Sequence, residues 1–545
     1  MDNNTQKNIA DALWLESYDE SKLSDDTAEA CNSNKNSNHA IGERVRDYLD
    51  WLDRHPQSFN PSYHKRYSLL KETIKDLNTQ QAYAACQKLL GNNAVQGYDQ
   101  IPETADLKFP RDHEPKLRSQ VGWHFFVGSA WDEDGQEYGI EIMFFRVAML
   151  PPELAKKHGL TDIENQIVEL QLGISRAGER HHQADPVVVA GTTGLISFKP
   201  EPFTYTFGKN KISAEHKSSF WPLNVTARGI DRGKSEPFPL AADLTFTSGK
   251  EYLLQGDNGA MPSIAGMGTL YYSIPNIVLK SGSTINYGGK TIKLKNGSFW
   301  FDHQWGFLGG NSTSPVLRAA SNINKPAPAG WDWFMAQFEG NRQITMFASH
   351  GKKYMPFYFQ TGAVPPGKMT VEVGGKYMDE HKKLYNTWGT LVVDRWIRSE
   401  GSPNPQIYPV THTWHPNSWH FSFNETMPKD IREFHLEQIV PSSQTNFFAN
   451  GSQYNEGAVY VKSPEGKDIG RGFAESVQYA DPWPTVFHIM GFGNDAKLMA
   501  AIKNNGASLS RRLVSLAYML THQKQLKATL AKSKGMEFFG PTPKK

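Results

Sequence analysis

The sequence predicts a mainly β protein made of two consecutive β units set between helical end segments. Three observations carry this. Between about residues 118 and 480, short apolar runs alternate with Gly, Pro and Asn punctuation at intervals of ~8–12 residues, the texture of barrels and sandwiches. The runs are too many for one small barrel, and their pattern restarts after Gly306. Helical i, i+3, i+4 spacing is confined to the two ends.

Taken in order, residues 1–41 read as a loose leader, Asn/Ser-rich in "SDDTAEACNSNKNSNHAI". Residues 42–117 form a helical N-terminal segment. Val45, Tyr48, Leu49 and Leu52 share a stripe in "IGERVRDYLDWLDRH", the spacing repeats in "PSYHKRYSLLKETIKDL" and "TQQAYAACQKLLG", and Gly91 supplies a stop. The first β unit, 118–310, opens with two strands around an acidic turn in "WHFFVGSAWDEDGQEYGIEIMFFRVAML". It continues through "IVELQLGIS", "PLAADLTFTS", "EYLLQG" and "GMGTLYYSIP", then a hairpin at "YGGKTIK", and closes on "TIKLKNGSFWF". The second, 311–485, contains "WDWFMAQF", "RQITMFAS", "KMTVEVGG", "SWHFSF" and "GAVYVKS". Residues 486–545 are helical again, with an apolar stripe through Leu513, Leu516, Met519 and Leu520. The opposite face is basic, so this helix is the one candidate for peripheral membrane contact, although such a helix more often packs on its own protein.

Composition narrows the function. The chain is 39% hydrophobic and 21% charged, enough for a sizeable core. A net charge of +2 gives no electrostatic case for nucleic acid. The 14 Trp, 21 Tyr and 30 Phe can line apolar pockets for a hydrophobic small-molecule partner, and large β cores also use rings heavily. Two cysteines, Cys31 and Cys86, give neither a disulfide framework nor a zinc spacing. No basic, apolar leader and no run of ~18–20 apolar residues is present, so the expected location is the cytoplasm. GxSxG, phosphate-loop and dinucleotide motifs are missing, and no cofactor is expected. His412, His415 and His420 lack a metal-site spacing and read as ordinary strand and loop histidines. His181 and His182, in the polar "RAGERHHQAD", read as a solvated loop.

Several stretches together resemble the lipocalin-like superfamily of carotenoid 1,2-hydratases, kievitone hydratases and AttH-type proteins, with fungal Diels–Alderases as more distant relatives. They are "GWHFFVGSAWDEDGQEYGIEIMFFR", "YLLQGDNG", "LYYSIPNIVLKSG", "GSFWFDHQWG", "GWDWFMAQFEGNRQITMF", "YNEGAVYV" and "GRGFAESVQY", in family order. The resemblance implies two lipocalin-like β-barrels side by side and a hydrophobic pocket near their junction. The hydratases carry Tyr two residues before their acidic Asp and often His between; this chain has Trp300 and Phe301. Their upstream His-x-Trp-like segment aligns only loosely with Leu270-Tyr271-Tyr272. Asp302 alone carries over, which favours the AttH-type branch and puts water addition in doubt.

Strand alternation sets Trp300, Asp302 and Gln304 on one face, and Phe301, His303 and Trp305 on the other. An Asp among rings has its charged form disfavoured, so it can stay protonated and deliver a proton to a C=C bond. Ring faces would then stabilise the carbocation. Asp302 is therefore the candidate acid, with Tyr271 and Tyr272 as candidate phenolic donors. Trp300, Gln304, Trp123, Trp333 and Glu475 are candidate substrate contacts, and His303 is a structural clamp. A clamp made by backbone N–H groups is the other reading of Asp302. Tyr479 is expected on the same face as Glu475, and Glu456 is a further carboxylate of either catalytic or ion-pair character. The expected activity is acid-assisted hydration, isomerisation or cyclisation of a polyene, isoprenoid or polyketide. A pericyclic cyclase and a non-catalytic lipid carrier are the alternatives.

Overall fold

The computed structural model describes residues 98–99, 101, 105–157, 159–185, 187–231, 236–249, 251–256, 258–260, 269–306, 330–350, 368–398, 414–447, 452–477 and 479. The leader, the helical stretches at 42–92 and 486–545, Cys31, Cys86 and His412 lie outside them. The structure is mainly β, in two sheets. The first holds Val121–Asp132 (β1), Glu137–Ala148 (β2), Gln166–Arg176 (β3), His181–Gln183 (β4), Val187–Ala190 (β5), Ile196–Lys199 (β6), Thr204–Phe207 (β7), Asn210–Ala214 (β8), Leu223–Asp231 (β9), Phe238–Phe246 (β10), Leu253–Leu254 (β11), Thr269–Val278 (β12), Thr284–Tyr287 (β13) and Lys290–Gly306 (β14). The second holds Gly330–Phe338 (β15), Arg342–His350 (β16), Met369–Met378 (β17), Leu384–Arg398 (β18), Trp414–Phe423 (β19), Glu433–Gln438 (β20), Gln444–Phe447 (β21), Ser452–Lys462 (β22) and Asp468–Val477 (β23). Among the described residues, helix is limited to Pro152–Lys157 and two short 3-10 turns, and no helix is long and apolar enough to cross a membrane.

The two sheets close differently. In the second, β20 pairs with β22, so β15–β20, β22 and β23 form an eight-stranded closed barrel. The first runs from β4 through β3, β2, β1, β14, β13, β10, β9, β8 and β7 to β6 and ends there. The resemblance implied two barrels; one barrel and one open, strongly curved sheet are found. Its concave side is filled by side chains: Leu172, Ile174, Val225, Ala227, Leu240 and Phe246 belong to one buried cluster. The chain forms these strands for ordinary reasons, β-branched and aromatic residues in runs broken by turn residues. Gly288 and Gly289, both at positive φ (64° and 87°), make the β13–β14 hairpin that the sequence signals.

Burial along each strand shows where the sheets meet. β9 and β10 alternate between buried and partly exposed positions, one face inward and one toward water. β2 is buried at every position. Its even-numbered residues fill the first sheet's core, and Met143, Phe145 and Val147 turn outward into a separate cluster. That cluster joins Phe125, Val127 and Trp300 of the first sheet to Trp333, Met335, Phe473, Tyr454 and Ala458 of the second. The sheets thus pack outer face to outer face, each large side chain contributing ~1.5–3 kcal/mol by leaving water. At Gly139 the approach is closest: a Cβ there would sit 2.6 Å from Ala458 Cβ and 3.1 Å from Ile439 Cδ1.

Gly139→Val should therefore wedge this seam, lowering stability by ~1–3 kcal/mol. Denaturant unfolding is expected to lose cooperativity between the two sheets while each keeps its β signature by circular dichroism.

Candidate functional site

Asp302 lies on the seam face of β14, with 2% of its surface exposed. In register across the sheet it is flanked by Ser273 on β12 and Phe125 on β1. Its donors are side chains, not main-chain amides. Tyr271 Oη donates to Oδ2 at 2.6 Å, Trp300 Nε1 donates to Oδ1 at 2.7 Å, and the Ser273 hydroxyl donates to Oδ1. Behind them, Gln255 Nε2 donates to Ser273 Oγ at 2.8 Å. From the other sheet, Trp333 Nε1 donates to Tyr271 Oη at 3.0 Å. Burial dominates the carboxyl's titration and pushes it up to about 7, the three donors offsetting part of the shift. The Tyr271 phenol is pushed well above its ordinary value by burial and by the Asp302 charge.

The next register row on the same face is Tyr271, Gln304, Trp123 and Phe145. Trp123 and Gln304 are only half-buried, so this row is the more open side of the site. Trp123 and Phe145 stack at 5.9 Å, and Gln304 Nε2 donates to Thr269 Oγ1 at 2.6 Å. Phe125 meets Trp333 edge-on at 6.1 Å. Asp302, Tyr271, Trp300, Gln304, Trp123 and Trp333 are thus gathered on one surface.

Tyr272 and His303 project the other way, into the first sheet's core. Tyr272 Oη lies 2.6 Å from His113 Nδ1, away from the Asp302 carboxyl. It is not part of the cluster, because neighbouring residues on a strand face opposite sides. His303 ring nitrogens lie 2.8 Å from the Trp123 carbonyl and 3.1 Å from the Glu114 carbonyl. Burial and the stacked His124 ring hold its pKa well below 6.5; the neutral ring donates through one nitrogen. Arg146, also buried, donates to the carbonyls of Ser119, Val121 and Lys116 and to Gln166 Oε1. These residues tie the 105–120 segment to the sheet's end.

A second carboxyl group of the seam involves Glu475. It stands between Trp333 and Glu456 in register. Glu456 faces Glu141 of the first sheet, both buried at 0% and 2% exposure. Burial, then the Glu475 charge, push Glu141 up to about 7. Burial and the Glu141 charge push Glu456 well above its ordinary value. Two facing carboxyls in a dry seam each disfavour the charged form of the other. Tyr479 does not join them. β23 ends at Val477, alternation ends with it, and Tyr479 turns into the closed barrel to donate to Asp332 Oδ2 at 2.8 Å.

The histidines also settle into place. His181 and His182 are buried on β4 rather than solvated: His182 Nδ1 lies 2.9 Å from Asp231 Oδ2, and its ring stacks on Phe238 at 3.6 Å. A polar run became a strand because apolar and charged partners cover it. His415 is buried in the closed barrel, whereas His420 sits on the outside, 2.8 Å from Glu433.

The sequence profile of the family described as AttH-like matches residues 100–372, just over half of the 545. The chain belongs to the AttH-like family. A crystal structure of a putative AttH from Nitrosomonas europaea is 18% identical, covers 70% of this chain and 99% of its own, and has a TM-score of 0.47. Kievitone hydratase from Nectria haematococca is 11% identical, covers 70% of this chain and 95% of its own, and has a TM-score of 0.43. No curated protein matches the chain.

In this AttH-like protein the residues that sequence reasoning missed are Ser273, Gln255 and Glu141. Ser273 was within reach, since it lies two residues from Tyr271 and so on the same face. Gln255 and Glu141 reach the site through sheet pairing and sheet packing, which the linear sequence does not display. The glutamate pair makes a stability prediction. Both groups hold protons more tightly when folded than when unfolded, so the fold loses stability as pH rises from about 5 through 7 and regains it on acidification. Glu456→Gln removes one charge; thermal melts at pH 5 and pH 8 should then show a smaller drop in Tm than the parent, by a few degrees (roughly 2–4 °C per kcal/mol).

Proposed function

We propose that this AttH-like protein is a cofactor-independent enzyme that uses the Asp302–Tyr271 pair as the acid on a hydrophobic, unsaturated molecule bound against the seam. One observation supports the reading above the others. A carboxyl with a pKa pushed up to about 7 is bonded at 2.6 Å to a phenol on the more open side of the same face. A carboxyl that is half protonated near neutrality is matched to general acid work.

The chemistry follows from the bonding. With Asp302 protonated, Oδ2–H donates to Tyr271 Oη, and the phenolic proton is free to point at the ligand. Proton transfer from Tyr271 to an alkene carbon breaks the π bond and leaves a carbocation on the adjacent carbon. Tyr271 takes the Asp302 proton in the same step, so the negative charge ends on the carboxylate. Trp300 and Ser273 already donate to that carboxylate, so little reorganisation is required. Ring faces of Trp123 and Trp333 stabilise the cation. Loss of a proton back to the pair gives isomerisation, capture by an internal alkene gives cyclisation, and capture by water gives hydration.

The reading is tested with acyclic isoprenoid polyenes in deuterated water. Acid-initiated turnover places one deuterium on product carbon; a pericyclic cyclase incorporates none, and a carrier returns the polyene unchanged. Asp302→Asn and Tyr271→Phe should each lower kcat/KM by ~10²–10⁴-fold. Because the acid form is required, kcat/KM of the parent should fall as pH rises above about 7. Full turnover in Tyr271→Phe would remove the phenol from the proton path. Undiminished turnover in a folded Asp302→Asn would end the proposal.

A further inference from the structure

The seam is not the one place where an aspartate is paired with a tyrosine. Trp333 and Asp332 are neighbours on β15 and face opposite sides. Trp333 reaches the seam, while Asp332, fully buried, enters the closed barrel and accepts from Tyr479 Oη at 2.8 Å. The Tyr479 ring lies edge-on to Trp396 at 5.7 Å and 6.3 Å from the His415 ring. Its hydroxyl is 3.9 Å from Met369 Sδ.

His415 makes this end of the barrel unusual. It has no exposed surface, yet among the described residues neither Nδ1 nor Nε2 has a hydrogen-bond partner. Buried polar atoms in folded proteins are almost always bonded, and an orphaned one costs ~1–3 kcal/mol. Here one ring contributes two, next to the Tyr479 ring that holds Asp332 and meets Met369. Eight-stranded barrels are of the size that is either filled by side chains or holds one small ligand. Burial keeps the imidazole neutral, with its pKa lowered to about 3, so it presents one donor and one acceptor. An ionic ligand would have to shed its water without an opposite charge on His415 to meet it. A hydroxyl group, which can donate and accept, matches either ring nitrogen.

We propose that the Asp332–Tyr479–His415 end of the closed barrel is a second binding site, separate from the seam, for a small neutral ring compound carrying a hydroxyl group. The ring packs on Trp396, Tyr479 and Met369, and the hydroxyl bonds to His415.

The full chain labelled with ¹⁵N-histidine tests this, with phenol as the probe and benzene as its hydroxyl-free control. Phenol should shift one pair of ring-nitrogen signals saturably, benzene should not, and His415→Asn should identify the pair by its loss. Calorimetry should show phenol affinity falling at least tenfold in His415→Phe. Asp302→Asn should leave phenol binding unchanged, which keeps this site distinct from the seam reaction. Absence of a saturable shift, an equal shift with benzene, or a shift on a histidine other than His415 would overturn the assignment.

Discussion

Everything distinctive in this molecule follows from the dryness of the seam. Two sheets that could each have shown a polar outer face to water instead press those faces together. A carboxyl placed there loses its hydration, and side-chain donors return only part of it. Asp302 is held by three such donors and still has its protonated form favoured far beyond an ordinary aspartate. The same desolvation governs Glu141 and Glu456, which have each other instead of donors. One physical cause thus raises a carboxyl held by donors in one place and a facing pair of carboxyls in another. The difference lies in whether phenol, indole and hydroxyl groups or a second carboxyl stand opposite.

Much of the architecture was legible in the residues. The first three strands of the first unit, and those from β10 to β14, occur where alternation and turn residues put them, whereas the six strands β4 to β9 were not read from the sequence; the DG turn and the double-glycine hairpin are where their chemistry predicts. The continuous apolar runs "HFFV", "IMFF" and "FWF" carry a further message, since strands apolar on both sides are covered on both sides. They mark β1, β2 and β14 as the seam strands, in contrast to the half-polar β9. What could not be read was closure. Whether a curved sheet joins its own edge depends on strand stagger and shear summed over many pairs, and no local pattern encodes that sum.

The site was legible by parity and illegible by distance. Alternation correctly separated Trp300, Asp302 and Gln304 from Phe301, His303 and Trp305. It also separated Tyr271 from Tyr272, and only contact with Asp302 could choose between them. It misplaced Tyr479, because a rule that holds along a strand was carried two residues past its end. The burial of His181 and His182 escaped notice for a related reason: their partners, Asp231 and Phe238, lie about 50 residues away in the chain.

β14 runs for 17 residues, pairing with β13 near its start and with β1 and β12 toward its end. Its two faces lead to different compartments, so the count of residues between the hairpin and Asp302 has to stay odd or even as it is. One residue inserted there would send the imidazole into the seam and the carboxyl into the first sheet's core, undoing both at once. Length change in lineages of this fold should accordingly collect at the Gly288–Gly289 hairpin tip and avoid the stretch from Leu294 to Trp305.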